Sequence, residues 1–225
     1  MSEPGVVVII PAAGAGSRFG SELPKQFHML GDRTILQRVI ERFLSDERVE
    51  LIVVPVSERA LLNFGEQPSG RRVQFVNGGE TRQESVTKGF EAAGMKKGIV
   101  AIHDGVRPFF SIDTFHKVID AAVHYGAAFP AAPINDTLHV LDNDQIVDTP
   151  DRTRLFAAQT PQCFRADVLR DILARGAGGD ATDEAGLAAK YGYVVKAVPG
   201  DKLNFKITRP EDLAIAERIF LEFGK

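Results

Sequence analysis

The chain has 225 residues, 44% of them hydrophobic, and its 27 Lys plus Arg against 30 Asp plus Glu leave a net charge of −3. This length suits one α/β domain with an elaboration, and the near-balanced charge argues against a broad nucleic-acid footprint, so functional cations have to be clustered locally. The single cysteine, Cys163, excludes an intramolecular disulfide and a multi-cysteine zinc site; with no histidine nearby it reads as a small packed thiol.

The start, Met-Ser-Glu-Pro, lacks a basic leader region, and the apolar run Val6 to Ala13 is far below the ~20 residues that span a bilayer. The expectation is a soluble, cytoplasmic protein with no membrane or nucleic-acid partner. Within that run Val6-Val7-Val8-Ile9-Ile10 predicts a central parallel strand. Pro11 to Phe27 follows, PAAGAGSRFGSELPKQF. Gly14 and Gly16 allow a tight turn, and Arg18 and Lys25 add a guanidinium and an ammonium. A turn that aims backbone N–H groups at phosphate, backed by two cations, can bind and polarise a nucleotide triphosphate. A lone GxG also reads as a surface loop, and the PKQF continuation argues against that. Phe19 occupies the sixth position of the dinucleotide fingerprint, and no Gly-Lys-Ser/Thr follows, so a dinucleotide fold and a P-loop are both disfavoured.

Thr34 to Leu44 places Ile35, Leu36, Val39, Ile40, Phe43 and Leu44 at helical spacing behind a Thr34 cap. Leu51 to Val56 predicts a second buried strand, Ser57 to Phe64 a helix, and Val73 to Val76 a third strand. Thr81 and Glu84 form a capping-box pattern opening the next helix, and Gly98 to Ile102 is a fourth strand. The order βαβαβαβ predicts a Rossmann-like, mostly parallel sheet flanked by helices, with its ligand site at the carboxyl ends of the strands. Three polar loops meet there: Gly14 to Lys25; Gly78-Gly79-Glu80 with Arg82 and Ser85; and His103 to Pro108, HDGVRP. His103 reads as structural, because its side chain should alternate away from Asp104. Asp104 also reads as a turn cap, Arg107 as a solvated turn residue, and Arg82, Lys88, Lys96 and Lys97 as ordinary surface cations.

Two alternating stretches, Thr137 to Leu141 and Gln145 to Thr149 around Asp142-Asn143-Asp144, predict a β-hairpin arm within residues 135–159. Such an arm folds over the site or pairs with another subunit. Helices are expected at Arg165 to Ala174 and Thr182 to Tyr191, a strand at Val194 to Val198, and a last helix from Pro210. Gly176 to Asp180 reads as a flexible link, which leaves residues 1–225 as one domain with an arm.

PAAGAGSRFG…PKQF, GGETRQESV, HDGVRP, DTLH, QTPQCF (Gln159 to Phe164), TDEAGL (Thr182 to Leu187) and NFKITRPEDL (Asn204 to Leu213) run in one order from about Val6 to Ala216. Together they resemble the 2-C-methyl-D-erythritol 4-phosphate cytidylyltransferase family of the non-mevalonate isoprenoid pathway. The resemblance implies a nucleotidyltransferase, GT-A-like domain that moves CMP from CTP to a sugar-alcohol phosphate, releases pyrophosphate and uses Mg²⁺, whose ligands are left unknown. It implies a homodimer through the arm. By motif, Arg18 and Lys25 neutralise the α-phosphate and leaving group. Ala12, Ala13, Gly14 and Gly16 present backbone to the nucleotide, whose base side is walled by Gly79, Glu80 and Ser85, with Gly105 also on the nucleotide side. Asp104, Arg107, Thr137 and Thr182 meet the acceptor, and Arg152 and Lys206 hold its attacking phosphate. Two positions depart from the pattern: Gly105 stands where alanine is usual and His139 where lysine is common. Other readings are a ribitol-5-phosphate cytidylyltransferase, a nucleotide-sugar pyrophosphorylase, a dinucleotide-binding oxidoreductase and a noncatalytic nucleotide sensor.

Overall fold

β-Branched runs with no polar break form the centre of the sheet, because strands covered on both faces bury every side chain. The computed structural model describes residues 5–14, 19, 23–64, 72–176 and 182–223. Strand β1 (Val6–Ile9) is buried throughout. The short antiparallel pair β2 (Met29–Leu30) and β3 (Arg33–Thr34) precedes α1 (Ile35–Leu44), which Thr34 and Gln37 open with a complete capping box. β4 (Val49–Val56), α2 (Glu58–Phe64), β5 (Val73–Asn77), α3 (Arg82–Ala93) and β6 (Ile99–Ile102) follow. At α3 the Thr81 hydroxyl accepts from Glu84 N at 3.0 Å, while the Glu84 carboxylate returns to Glu80 N at 2.9 Å rather than to Thr81 N. Only half of the expected capping box forms, and its other half ties down the preceding loop.

The chain continues through α4 (Ile112–Tyr125), β7 (Ala127–Pro133), the hairpin β8 (Val140–Asp142) and β9 (Gln145–Asp148), then β10 (Phe156–Ala158), β11 (Gln162–Arg165), α5 (Ala166–Arg175), α6 (Glu184–Lys190), β12 (Val195–Pro199) and α7 (Pro210–Phe223). Six elements, β2, β3, α4, β7, β10 and β11, lie outside those expected from sequence. The Gly176 to Asp180 link, beyond Gly176 itself, lies outside the described residues.

The sheet runs β10-β7-β11-β6-β1-β4-β5, with β12 paired to β7. β1 pairs in parallel with β4 and with β6, β5 with β4, and β12 with β7, whereas β10 and β11 are antiparallel to their neighbours. The mostly parallel expectation therefore holds. β1 has sequence-distant β6 on one side and β4 on the other, so successive crossovers diverge there and open a crevice beyond the carboxyl ends.

Alternate residues of the strands feed two cores. Val6, Val8 and Ile52 pack with Leu36, Val39 and Phe43 of α1 and Phe115 and Val118 of α4, while Ile9, Val100 and Ile102 pack against Val86, Leu169, Ile172 and Leu187 of α3, α5 and α6. Each such fully buried side chain contributes about 1.5–3 kcal/mol. Cys163 is buried in the first core, where loss of hydration pushes its thiol well above the ordinary range, as a packed thiol requires. The β8–β9 hairpin is a separate two-stranded sheet, exposed at every position and turned by Asn143 (φ 47°) and Asp144 (φ 61°). Among the described residues no helix is long and apolar enough to cross a membrane.

Candidate active site

From the carboxyl end of β1 the chain runs along the edge of β4, with Ala12 N donating to Pro55 O at 2.7 Å. Gln26, buried in the single helical turn Lys25–Phe27, then holds the next stretch from below. Its side-chain amide donates to Ala12 O at 2.7 Å and to Gly14 O at 3.1 Å. Those two carbonyls are engaged from the protein side, and Lys25, the preceding residue, lines the cleft beside them. Gln26 is not among the site residues expected from sequence, although it stands inside PKQF.

The facing wall starts after β5, where Gly78 N donates to Val56 O at 2.7 Å. A Cβ on Gly78 would collide with the Cβ of Ala13, so the two loops approach this closely only with glycine there. Ser85 Oγ accepts from Gly79 N at 3.0 Å and donates to Thr81 O at 3.0 Å, and Lys88 Nζ donates to Gly78 O at 2.8 Å. The cleft between the walls has a volume of about 300 Å³ and is lined by both loops, by Asp104 and Gly105 beyond β6, and by Lys206.

Asp104 is the electrostatic centre. Arg107 Nε lies 3.0 Å and Lys206 Nζ 3.1 Å from its Oδ2, and Arg82 Nε lies 3.6 Å from Oδ1. Burial alone would push this carboxyl up, but Lys206, Arg82 and Arg107 outweigh burial and hold it well below the ordinary aspartate value. Arg82 also forms a two-pronged pair with buried Glu184, its Nη1 standing 2.7 and 2.8 Å from the two carboxylate oxygens. Burial opposes the guanidinium charge, and Glu184 and Asp104 more than restore it. Burial likewise raises the Glu184 carboxyl, which Arg82 offsets in part. Arg82 is thus no ordinary surface cation.

His103 lies behind Asp104, fully buried and packed on Phe43 and Phe110 with centroids 5.1 and 4.6 Å away. Its Nε2 is 3.0 Å from Arg107 O, which can only accept, so Nε2 carries the proton and Nδ1 is free to accept from Thr160 Oγ1 at 3.0 Å. The Thr160 oxygen accepts in turn from Asp104 N at 3.1 Å. Loss of hydration drives the imidazole pKa down to about 3, so it stays neutral. Its role is the structural one expected from sequence. Asn204 completes the support, donating to Thr160 O at 2.8 Å and accepting at its backbone oxygen from Arg107 Nη1 at 2.8 Å.

Of the residues expected at the site, Ala12, Ala13, Gly14, Lys25, Gly79, Glu80, Ser85, Asp104, Gly105 and Lys206 line this one cleft. Arg107 braces Asp104 from the side. Gly16 and Arg18 lie outside the described residues. Thr137, Arg152 and Thr182 are exposed and do not line the cleft; Arg152 instead bonds Asn135 O of its own chain. Ser85 is buried, with its hydroxyl engaged by its own loop, so it builds the wall more than it faces the cleft. Arg82, Glu184, Gln26 and Thr160 are the additions. Their only local signals are places inside GGETRQESV, TDEAGL, PKQF and QTPQCF.

Among the described residues no three His, Cys, Asp or Glu side chains cluster to hold a metal ion. Among the described residues the carboxylates at the cleft are Asp104, which faces three cations, and exposed Glu80. Mg²⁺ commonly binds through one or two carboxylates plus substrate phosphates and water, and this donor set fits an ion brought in on a triphosphate better than a resident one.

The family model described as IspD, 2-C-methyl-D-erythritol 4-phosphate cytidylyltransferase, matches residues 6–222. A protein of that name from Geobacillus thermodenitrificans is 41% identical over 218 residues, 94% of this chain and 95% of its own. One from Haemophilus influenzae is 38% identical over 217 residues, with 94% and 95% covered. The crystal structure of 2-C-methyl-D-erythritol 4-phosphate cytidylyltransferase from Thermus thermophilus aligns with a TM-score of 0.79 at 34% identity, covering 96% of this chain and 98% of that one. A 4-diphosphocytidyl-2C-methyl-D-erythritol synthase from Anaerococcus prevotii aligns with a TM-score of 0.82 at 27% identity, covering 97% and 99%.

Proposed function

The chain belongs to the 2-C-methyl-D-erythritol 4-phosphate cytidylyltransferase family, and from that membership we propose how its cleft transfers CMP from CTP to methylerythritol phosphate in isoprenoid precursor synthesis. The observation that carries the assignment of parts is the single cleft at the β1–β6 switch, where the Ala12–Gly14 backbone and Lys25 face Asp104 and Lys206. A phosphate oxygen of the acceptor attacks the α-phosphorus of CTP, the bond from that phosphorus to the bridging oxygen breaks, and pyrophosphate leaves in line. A phosphomonoester is already ionised near neutral pH, so positioning and charge neutralisation supply the catalysis without a protein nucleophile.

In this reading Lys25, with Arg18, faces the α-phosphate and the leaving pyrophosphate, and Gln26 fixes the backbone that cradles them. Gly79 and Glu80 border the base, held by Ser85. Lys206 steadies the attacking phosphate while Asp104 accepts from acceptor hydroxyls. Mg²⁺ carried on the triphosphate would supply positive charge that offsets what develops on the phosphate oxygens, with Asp104 and Glu80 the described carboxylates lining the cleft it would enter. The arm fits a homodimer: Val140, Leu141, Ile146 and Val147 are 47–60% exposed on a two-stranded hairpin, which is marginal in water unless covered. Thr137 and Arg152, absent from the cleft of their own chain, then serve the partner's site. Soluble substrates fit a cytoplasmic site of action.

Pyrophosphate release with CTP, UTP and GTP against methylerythritol phosphate and ribitol 5-phosphate tests the reading. The expected result is turnover with CTP and methylerythritol phosphate that EDTA abolishes. Faster turnover with ribitol 5-phosphate, or none with either acceptor, refutes it.

A further inference from the structure

We infer that Arg82 is a positioning residue that holds Asp104 and the start of α6 in one geometry, and so sets affinity for the sugar-alcohol phosphate while leaving CTP affinity nearly unchanged. The inference rests on the activity proposed above. Arg82 is the first residue of α3, directly behind the Thr81 cap, and its side chain lines the cleft and reaches both Asp104 and Glu184. One guanidinium nitrogen, Nη1, donates to both oxygens of Glu184 at 2.7 and 2.8 Å. Glu184 opens α6 and is only 2% exposed, a depth at which a carboxylate needs a partner.

The same turn of α6 has a second anchor on β11. Gln162 Oε1 accepts from Ala185 N at 3.0 Å and its amide donates to Asp183 Oδ2 at 2.8 Å, while Asp183 Oδ1 caps Gly186 N at 2.8 Å. Arg82 and Gln162 together therefore place the Thr182–Asp183 turn relative to the cleft.

The Nε of Arg82 addresses Asp104. Oδ2 is occupied by Arg107 and Lys206, whereas Oδ1 faces Arg82 Nε at 3.6 Å, beyond hydrogen-bond distance. Arg82 thus orients Oδ1 by charge and leaves it capacity to accept from a substrate hydroxyl. Without Arg82, Asp104 Oδ1 loses the charge that orients it and Glu184 loses its partner. The triphosphate side, built on Lys25 and the Ala12–Gly14 backbone, keeps its own contacts.

A purely structural ion pair is the competing account, and the double variant Arg82→Gln/Glu184→Gln separates the two. Arg82→Gln alone strands a buried carboxylate and lowers the melting temperature; the double variant removes both charges and recovers it. With melting restored, the KM for methylerythritol phosphate should stay raised by about tenfold, the size of one lost charge-assisted contact, with the KM for CTP within about twofold of wild type. Return of the acceptor KM together with the melting temperature, or an equal rise in both KM values, overturns the inference. If the double variant does not fold, Arg82→Lys decides, since it keeps the charge and loses the fork: a rise confined to the acceptor KM supports the role and an unchanged acceptor KM refutes it. Wild-type turnover in the same assay is judged separately. Its absence refutes the proposed activity, whereas normal wild-type turnover beside an unaltered double variant refutes only the role of Arg82.

Discussion

Replacing Asp104 with alanine removes the anion shared by Arg107, Lys206 and Arg82 at 3.0, 3.1 and 3.6 Å. The carboxylate side chain is only 9% exposed, so water screens these pairs weakly. Deleting one partner of a buried ion pair typically costs about 3–5 kcal/mol, because the remaining charges stay desolvated. At about 2–4 °C per kcal/mol for a domain of this size, the melting temperature should fall by roughly 6–20 °C. The pH dependence has a definite sign. The folded carboxyl is held below its ordinary value, so its contribution is present above the unfolded pKa of about 3.9 and is lost as pH falls toward the folded value. The gap between wild type and variant should therefore be constant from pH 6 to 8 and close only below about pH 4. Circular-dichroism melts across that range measure it. A second check is the Asp104→Ala/Lys206→Met protein, which should lose less than the sum of the single losses, because each single change strands a charge that the other removes. Melting within about 2 °C of wild type for Asp104→Ala at pH 7, or strict additivity in the pair, would refute the reasoning, since about 3 kcal/mol or more is expected from a buried pair of this kind.

Lys25→Ala should lower kcat by about 10²–10³ with a smaller change in the KM for CTP, as expected for a donor acting mainly on charge that develops in the transition state; steady-state kinetics with unchanged kcat and a raised KM would assign Lys25 to ground-state binding. His103 stays neutral in the folded state down to about pH 3 while the unfolded chain takes up a proton near 6.5, so this group costs about 1.4 kcal/mol of stability per pH unit below that value. His103→Gln should accordingly melt with a shallower decline than wild type between pH 7 and pH 5, and parallel curves would clear His103 of responsibility. Co-refolding inactive Lys25→Ala and Arg152→Ala proteins should recover up to roughly a quarter of wild-type activity per total site if subunits pair at random and each arm serves its neighbour. No recovery in verified heterodimers would mean that Arg152 acts within its own chain or not at all.

The parts readable in advance are those whose cause is local. The Val6–Ile10 run, the apolar period of Thr34 to Leu44 and the Thr81 cap depend on residues within a few positions of one another, and each became the expected element within one or two residues. Repetition of strand and helix then implied a parallel sheet, which brought three loops to one edge without any coordinate. β7 escaped because AAFPAAP has little strand propensity and two prolines; it is a strand because β10, β11 and β12 offer it partners.

The chemistry at the cleft divides along the same line. Glycines, Lys25 and the HDGVRP loop announce themselves by type and spacing, since a phosphate-facing turn needs residues of those kinds close together. Arg82 and Glu184 are separated by 102 positions, and nothing near either distinguishes a buried pair from two solvated charges. Likewise the Asp104 carboxylate is depressed only because Lys206, about a hundred residues on, arrives 3.1 Å away. Burial and charge pairing at long sequence separation are properties of the packed chain, where desolvation makes each unmatched charge costly. The sequence by itself determined the α/β pattern and most of the residues that reach the cleft; which of them face the cleft, which brace it, and which stand outside it on the arm were decided by tertiary packing.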